Sequence, residues 1–184
     1  MPRVTMVRHG QAAAGWGDDL DPGLSELGKQ QAMATADALA SIGPLPMISS
    51  PLRRCQETAI PLAELWGCTP VVDPAVGEII SPDDQSGLAA RTAWLRTAMG
   101  GTWSQLGSDH HAWRQAVLDR LFAIDTDTLI ESHFIAINVA VGAAMDDDRV
   151  VCFAPDNCSW TVLDVEDRAI TIVELGRQAT TEVR

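Results

Sequence analysis

The sequence predicts an α/β fold: a three-layer sandwich with a mixed, mostly parallel central sheet, helices on both faces and a small helical cap insertion. Short apolar runs alternate along the chain with segments of helical spacing, which is the pattern of βαβ units. Near the C-terminal end, "SWTVLDVEDRAITIVEL" contains two strand-like runs joined at 166–168, which indicate a hairpin at one sheet edge. The chain has 184 residues, of which 46% are hydrophobic, so residues 1–184 are predicted to form a single domain with one core.

The N-terminal part predicts a strand, a loop and a helix. Residues 4–7 are mostly apolar and are followed by Gly10, which is typical of a short buried strand. A loop rich in Gly, Asp and Pro comes next. Ser25 is a favoured N-cap residue type, and the run after it has little Gly or Pro, so a helix is predicted from Ser25 to near Gly43.

A second strand–helix unit follows. Residues 46–49 predict a short strand, and "SPLRRCQETAIPLAELWG" predicts a helix with Pro51 in its first turn and Gly67 beyond its end. Proline removes an N–H and crowds the preceding turn, so Pro61 is expected to bend or break this helix. A third strand is expected at residues 69–72.

In the second half of the chain, the alternation of strand-like and helical segments is interrupted and then resumes. Roughly from residue 79 to 111 the pattern loosens into loops around one helical stretch, "LAARTAWLRTAM", which is interpreted as the cap insertion. "HAWRQAVLDRLFAI" then predicts a helix, "DTLIES" a strand, and "FIAINVAVGAAM" an apolar helix.

Composition excludes several classes of function. The formal net charge is −12 and the isoelectric point is near 4.5, which argues against nucleic acid as a partner. The four cysteines have neither zinc-site spacing nor the density of a disulfide scaffold. No signal peptide or membrane-spanning run is recognisable, so a cytoplasmic protein with no membrane partner is expected. The oligomeric state is not predictable from the sequence.

Four side chains are candidates for an anion site because each lies near the end of a predicted strand. His9 follows Arg8 at the end of the first strand, and His133 follows "DTLIES" in the same way. Arg53 lies in the first turn of the second helix, where exposed backbone N–H groups also favour an anion. Glu78 ends an otherwise apolar run. Taken singly, each has a simpler explanation as a solvated charge, a loop residue or a capping residue.

The ordered set of motifs "RHGQ", "LSELGKQQA", "SSPLRRCQETA", "DPAVGEI" and "LIESHF" resembles the phosphoglycerate-mutase-like histidine phosphatase superfamily through nearly the whole chain. The resemblance implies that His9 is the phosphorylated nucleophile and that Glu78 is the proton donor. It implies a phosphate pocket that contains His133 and the following phosphate-binding residues: Arg8, Arg53, Gly10 and Gln11. Asp83 and Asp84 are the next candidates for the proton donor.

The implied chemistry explains these residue types. A neutral imidazole can attack phosphorus in line if its other nitrogen keeps its proton, which we expect to bond a backbone carbonyl in the Gly10 turn. Guanidinium groups and a second histidine can stabilise the charge on the equatorial oxygens. The expected activity is therefore a metal-independent phosphomonoesterase with no cofactor, acting on a small-molecule phosphate ester.

Departures from the family pattern bear on the activity. Mutases carry a serine and an asparagine where this chain has Ala12 and Gly15, so a phosphatase is favoured over a phosphoglycerate-mutase-type phosphotransferase. Phe134 replaces the usual glycine after the second histidine and is expected to narrow the pocket.

Two further questions stay open at the level of sequence. Trp94 and Trp103 of the cap either pack on the core or line the substrate pocket and favour an apolar leaving group. The alternative functions are a protein phosphohistidine phosphatase, which Glu78 and the insertion disfavour, and a non-catalytic phosphate-binding protein, which would be expected to lose His9 or an arginine.

Overall fold

The computed structural model describes residues 1–15, 17–82 and 87–179. The strands described are β1 (Arg3–Arg8), β2 (Met47–Ser49), β3 (Val71–Val72), β4 (Thr128–Ser132), β5 (Trp160–Glu166) and β6 (Ala169–Glu174). They form one sheet in the order β3-β2-β4-β1-β5-β6. The first four strands in this order pair in parallel, whereas β5 pairs antiparallel with both β1 and β6. The mixed, mostly parallel sheet and its edge hairpin are confirmed.

Five α-helices connect these strands in the described part of the chain: α1 (Glu26–Leu39), α2 (Arg53–Trp66), α3 (Leu88–Met99), α4 (Ser108–Phe122) and α5 (Phe134–Met145). The hydroxyl of Ser25 accepts a hydrogen bond from the N–H of Gly28, which confirms Ser25 as the N-cap of α1. Within the described ranges, every helix is too short or too polar to cross a membrane.

The sheet separates two layers of helices, because neighbouring residues of a strand point to opposite faces. Val7 and Leu129 pack on one face with residues of α1 and α2, among them Leu39 and Leu62. The other face is the larger core, in which residues of α3, α4 and α5 pack on β1 and β4. Its members include Met6, Ile130, Leu95, Leu121 and Ile135. The predicted three-layer fold is therefore confirmed.

Helix α2 differs from its prediction at Pro51 and is not broken at Pro61. Leu52 is the N-cap, with extended backbone, so Pro51 precedes the helix rather than lying in its first turn. The helix also runs unbroken through Pro61 to Trp66. Most of one face of α2 is buried against α1 and the sheet, and this packing retains the helix although one backbone hydrogen bond is missing.

The parallel register brings three strand ends to one edge of the sheet. Arg8 pairs with Ser132, and Ser49 pairs with Glu131. The residues that directly follow these strands are His9, Ser50 and His133, so they meet at the same carboxyl-terminal edge. Ligands of open parallel sheets bind at this edge.

Candidate functional site

His9 is held in one orientation by hydrogen bonds to its backbone and its ring. Its N–H donates to the Ser132 carbonyl at 3.0 Å, and the Asn157 side chain donates to the His9 carbonyl at 2.9 Å. The Nδ1 atom of the ring lies 2.8 Å from the Gly10 carbonyl oxygen. Because a carbonyl only accepts, Nδ1 carries the proton and Nε2 keeps its lone pair. This is the backbone contact expected from the sequence.

Two glycines allow the segment after His9 to approach helix α1. A Cβ added at Gly10 would lie 2.7 Å from the carbonyl oxygen of Gly28, and one added at Gly28 would collide with the carbonyl oxygen of Gln11. The first turn of α1 thus lies directly against the turn that orients His9.

Arg54, not Arg53, is the arginine of α2 that enters the site. Arg54 is buried, and its Nε donates to His9 Nε2 at 3.2 Å. The side chain of Arg53 is 67% exposed and pairs with Glu57 at 2.7 Å. Consecutive helical residues differ by about 100° in direction, so only one of two adjacent arginines can face the pocket. The assignment of Arg53 to the phosphate pocket is therefore wrong.

Arg8 is the second buried guanidinium. Its Nη1 donates to the Pro155 carbonyl at 2.8 Å, and its Cζ lies 5.1 Å from the centre of the Phe134 ring. The Nε of Arg8 is buried and has no partner among the described residues. Burial lowers the pKa of Arg8 to about 10, so the group stays charged at neutral pH. An anion in the site would supply the missing acceptor.

His133 and Glu78 complete the cluster. The His133 ring is completely buried, with its centre 5.2 Å from that of His9. Glu78 Oε2 lies 3.5 Å from both Arg54 Nη2 and His133 Nδ1. Glu78 is placed just after a short 3₁₀ turn, Pro74–Val76, whose Val76 carbonyl accepts the Ser132 hydroxyl at 2.7 Å. The turn is therefore attached to the end of β4.

The electrostatics keep both imidazoles neutral. Burial, followed by the charges of Arg54 and Arg8, holds the pKa of His9 well below its usual value. Burial, His9 and the same two arginines lower the pKa of His133 in the same way. A neutral His9 retains the Nε2 lone pair at neutral pH, as a nucleophile requires.

The cluster opens into a cavity of about 1280 Å³, lined in part by Arg8, His9, Arg54, Glu78 and Phe134. Gln11, Ala12 and Gly15 also line it, whereas Gly10 and His133 contribute no lining among the described residues. Helix α3 supplies Arg91, Thr92 and Arg96 to the lining. The predicted cap thus contributes cations to the pocket.

The two cap tryptophans do not contribute to the lining in the described part of the chain. Trp103 is completely buried in the larger core and lies 6.0 Å from Trp113, centre to centre. Trp94 stacks on His110 at 4.8 Å. Of the two explanations left open by the sequence, packing on the core is correct, and the assignment of Trp94 and Trp103 to the pocket is wrong.

Sequence reasoning missed three residues that contact His9 or His133: Arg54, Ser50 and Asn157. The phase of α2 could have identified Arg54, because Thr58 and Leu62 follow it at intervals of four on the buried face. Ser50 and Asn157 each contact a histidine through one side-chain hydrogen bond, and no sequence pattern marks such contacts. Asp83 and Asp84, the alternative proton donors, lie outside the described residues.

Comparisons with known proteins agree with the geometry. Residues 4–178 match the family model of the histidine phosphatase superfamily (branch 1). A glucosyl-3-phosphoglycerate phosphatase of Mycobacterium tuberculosis is 37% identical over 120 residues, 58% of this chain and 52% of that protein. The match thus spans about half the length of that curated relative. The protein of the same name from Mycolicibacterium vanbaalenii is 36% identical over 165 residues, 83% of this chain and 68% of that protein.

A solved structure extends the similarity to the fold. The structure of a mycobacterial glucosyl-3-phosphoglycerate phosphatase in complex with VO3 superposes with a TM-score of 0.72 at 28% identity. The superposition covers 94% of this chain and 97% of that one.

The two adjacent arginines provide a matched test of the site. Arg54→Ala should weaken the binding of inorganic phosphate about 10- to 100-fold, the usual effect of losing one charged hydrogen bond. Arg53→Ala should change the dissociation constant less than about 3-fold, because its ion pair with Glu57 is exposed. Isothermal titration calorimetry measures both values. Equal losses in the two variants would contradict the placement of Arg54.

Proposed function

Because the chain belongs to the histidine phosphatase superfamily (branch 1), we propose that it hydrolyses phosphate monoesters through a phosphohistidine intermediate on His9. The observation that carries the proposal is the orientation of His9. Its Nδ1–H donates to the Gly10 carbonyl, and its Nε2 lone pair lies beside the buried guanidinium of Arg54. With Nδ1 protonated, Nε2 carries the lone pair that attack on phosphorus requires, and a bound phosphate takes the place of His9 as the acceptor for Arg54.

The reaction proceeds in two displacements at phosphorus. In the first, His9 Nε2 forms a bond to phosphorus while the bond to the leaving oxygen breaks. In the second, a water oxygen attacks phosphorus, the N–P bond breaks, and the electron pair returns to Nε2. Arg8 and Arg54 donate to the equatorial oxygens in both transition states, and the unpartnered Nε of Arg8 is one such donor. The charge is thus stabilised by fixed guanidinium groups, which supports a metal-independent reaction without a cofactor.

Glu78 serves as the proton donor of this mechanism. Its side chain is only 8% exposed, its Oε2 lies beside Arg54 and His133, and it lines the same cavity as His9. A carboxyl group there can protonate the leaving oxygen and afterwards remove a proton from the attacking water.

The substrate is a small phosphate ester whose leaving group carries a second negative charge. The relatives named above act on glucosyl-3-phosphoglycerate, in which the glycerate carries a carboxylate. Arg91 and Arg96 line the same cavity as His9, and the charge of Arg91 is close enough to lower the pKa of His133. The two arginines of α3 are suited to bind such a carboxylate.

Two alternatives are less well supported. A phosphotransferase of the mutase type has extra polar contacts to phosphate, whereas Ala12 and Gly15 line the cavity here. A protein phosphohistidine phosphatase has a leaving group that departs easily, so it has little use for a proton donor such as Glu78.

Covalent labelling tests the intermediate. Brief reaction with radiolabelled phenyl phosphate, followed by denaturation, should leave acid-labile, base-stable label on His9. The label should be absent from His9→Ala and retained in His111→Gln, an exposed control. Turnover should persist in excess EDTA and be inhibited by vanadate. Label on a serine or aspartate, or activity that requires added divalent metal, would refute the mechanism.

Leaving-group dependence tests Glu78. Glu78→Gln should slow single-turnover cleavage of an alkyl phosphate by about 10²–10⁴, because an alkoxide needs a proton in order to leave. Nitrophenyl phosphate should react at nearly the normal rate in the same step, since nitrophenolate leaves unaided. Equal losses on the two substrates would indicate a role in binding or structure.

The substrate class is tested at Arg91. Arg91→Met should raise KM for a phosphate ester with a carboxylate in its leaving group about 10-fold, the lower end for one charged hydrogen bond. It should change KM for nitrophenyl phosphate by less than about 3-fold. Arg168→Met, at an exposed ion pair with Asp119, is the control for loss of a positive charge. A uniform effect on both substrates would exclude Arg91 as the carboxylate ligand.

A further inference from the structure

The two nitrogens of His133 face different neighbours. Nδ1 lies on the side of the reacting centre, 3.3 Å from Arg54 Nη2 and 3.5 Å from Glu78 Oε2. Nε2 faces away from it, 2.7 Å from the Ser50 hydroxyl oxygen and 3.4 Å from the Cys55 sulfur. A neutral imidazole carries its proton on only one nitrogen. The hydrogen-bond partner of Nε2 therefore determines whether Nδ1 offers a proton or a lone pair to a bound phosphoryl group.

The surroundings permit both neutral tautomers of His133. With the proton on Nε2, the ring donates to Ser50, and Nδ1 can accept from Arg54 Nη2. With the proton on Nδ1, that N–H faces Glu78 Oε2 at 3.5 Å, Arg54 Nη2 donates to Glu78 rather than to the ring, and Nε2 accepts from the Ser50 hydroxyl. Burial and the neighbouring positive charges lower the pKa of His133, so the ring is neutral and has one N–H, either at Nδ1 or at Nε2.

The other bonds of Ser50 favour donation from its hydroxyl to His133. The Ser50 oxygen accepts the backbone N–H of Leu52 at 3.2 Å. The Ser50 backbone is itself fixed, since its N–H donates to the Glu131 carbonyl at 3.0 Å. With the proton on Nε2, the ring would donate to the second lone pair of the Ser50 oxygen, and the Ser50 hydroxyl proton would then have no oxygen or nitrogen acceptor among the described residues. Donation from the hydroxyl to His133 Nε2 at 2.7 Å gives that proton an acceptor.

Cys55, the other neighbour of His133 Nε2, does not compete with Ser50 as its hydrogen-bond donor. Burial raises the pKa of the Cys55 thiol, so it stays protonated. Its sulfur lies 3.4 Å from the Ser132 carbonyl, which can accept the S–H. A thiol is also a weak donor, so it competes poorly with the hydroxyl of Ser50 for Nε2.

We propose that Ser50 is a positioning residue that fixes His133 in the tautomer with the proton on Nδ1. In this tautomer the Nδ1–H donates to an oxygen of the phosphoryl group. The opposite tautomer would present a lone pair to that oxygen and repel it. The effect on catalysis rests on the proposed function, whereas the tautomer itself does not.

Nitrogen NMR of the histidine rings tests the tautomer directly. In ¹⁵N-histidine-labelled protein with inorganic phosphate, His133 should show a protonated Nδ1 and an unprotonated Nε2. The four histidines of the chain can be assigned with single His→Gln variants. In Ser50→Ala the proton should move to Nε2, because Arg54 Nη2 can then donate to Nδ1. A protonated Nε2 in the wild-type protein would overturn the proposal, and this spectrum decides even if Ser50→Ala does not fold.

Ser49 provides the matched control. It is completely buried and adjacent, but its hydroxyl donates to the Ser50 carbonyl at 3.0 Å and does not contact His133. Ser50→Ala should lower kcat/KM for nitrophenyl phosphate about 10- to 100-fold, the range known for groups that orient metal-binding histidines. Ser49→Ala should leave the tautomer unchanged and lower kcat/KM less than about 3-fold.

The two readouts separate this inference from the proposed function. A wild-type protein that has the predicted tautomer but hydrolyses no phosphate ester would refute the function and support the tautomer assignment. A Ser50→Ala variant whose His133 keeps its proton on Nδ1 would refute the role of Ser50, whatever its activity.

Discussion

The contact between Arg54 and His9 is the interaction on which the rest of the site depends. Arg54 is buried, donates from Nε to His9 Nε2, and places Nη2 beside both Glu78 and His133. A buried positive charge is costly, and a bound anion adds to the relief that Glu78 already gives to Arg54. The same positive charge disfavours protonation of both imidazoles. One side chain thus prepares the site for an anion and keeps the proposed nucleophile neutral.

The sheet makes this arrangement possible from distant parts of the sequence. The parallel strands β1, β2 and β4 end at one edge, so His9, Ser50 and His133 meet there, although 124 positions separate the two histidines. Helix α2 then brings Arg54 over the same edge. The sheet holds the carboxyl ends of these strands in register. This register explains why the buried side chains that follow the strands lie so close together.

Much of the fold was predictable from local patterns, whereas the site was predictable only in part. Apolar runs identify strands because burial of a whole strand leaves little room for polar residues, and Ser25 marks a helix start through its side-chain oxygen. Histidines after two such strands were therefore recognisable. The choice between Arg53 and Arg54 depends on the rotation of α2 about its axis, which the two arginines alone do not reveal, although the spacing of Thr58 and Leu62 does. The place of Trp94 and Trp103 depends on tertiary packing of the cap, for which local spacing carries no information. Pro61 does not break α2, because the packing of the helix compensates for the hydrogen bond that proline removes.

The close approach of Gly10 and Gly28 limits how this protein can be stabilised. Replacing a helical glycine with alanine commonly strengthens a helix, yet at Gly28 the new methyl group would push away the turn whose carbonyl orients the His9 ring. A substitution at Gly28 that stabilises the helix would therefore disturb the orientation of the His9 ring. Directed evolution for heat resistance would have to work around this part of α1, for example through the exposed positions farther along the same helix.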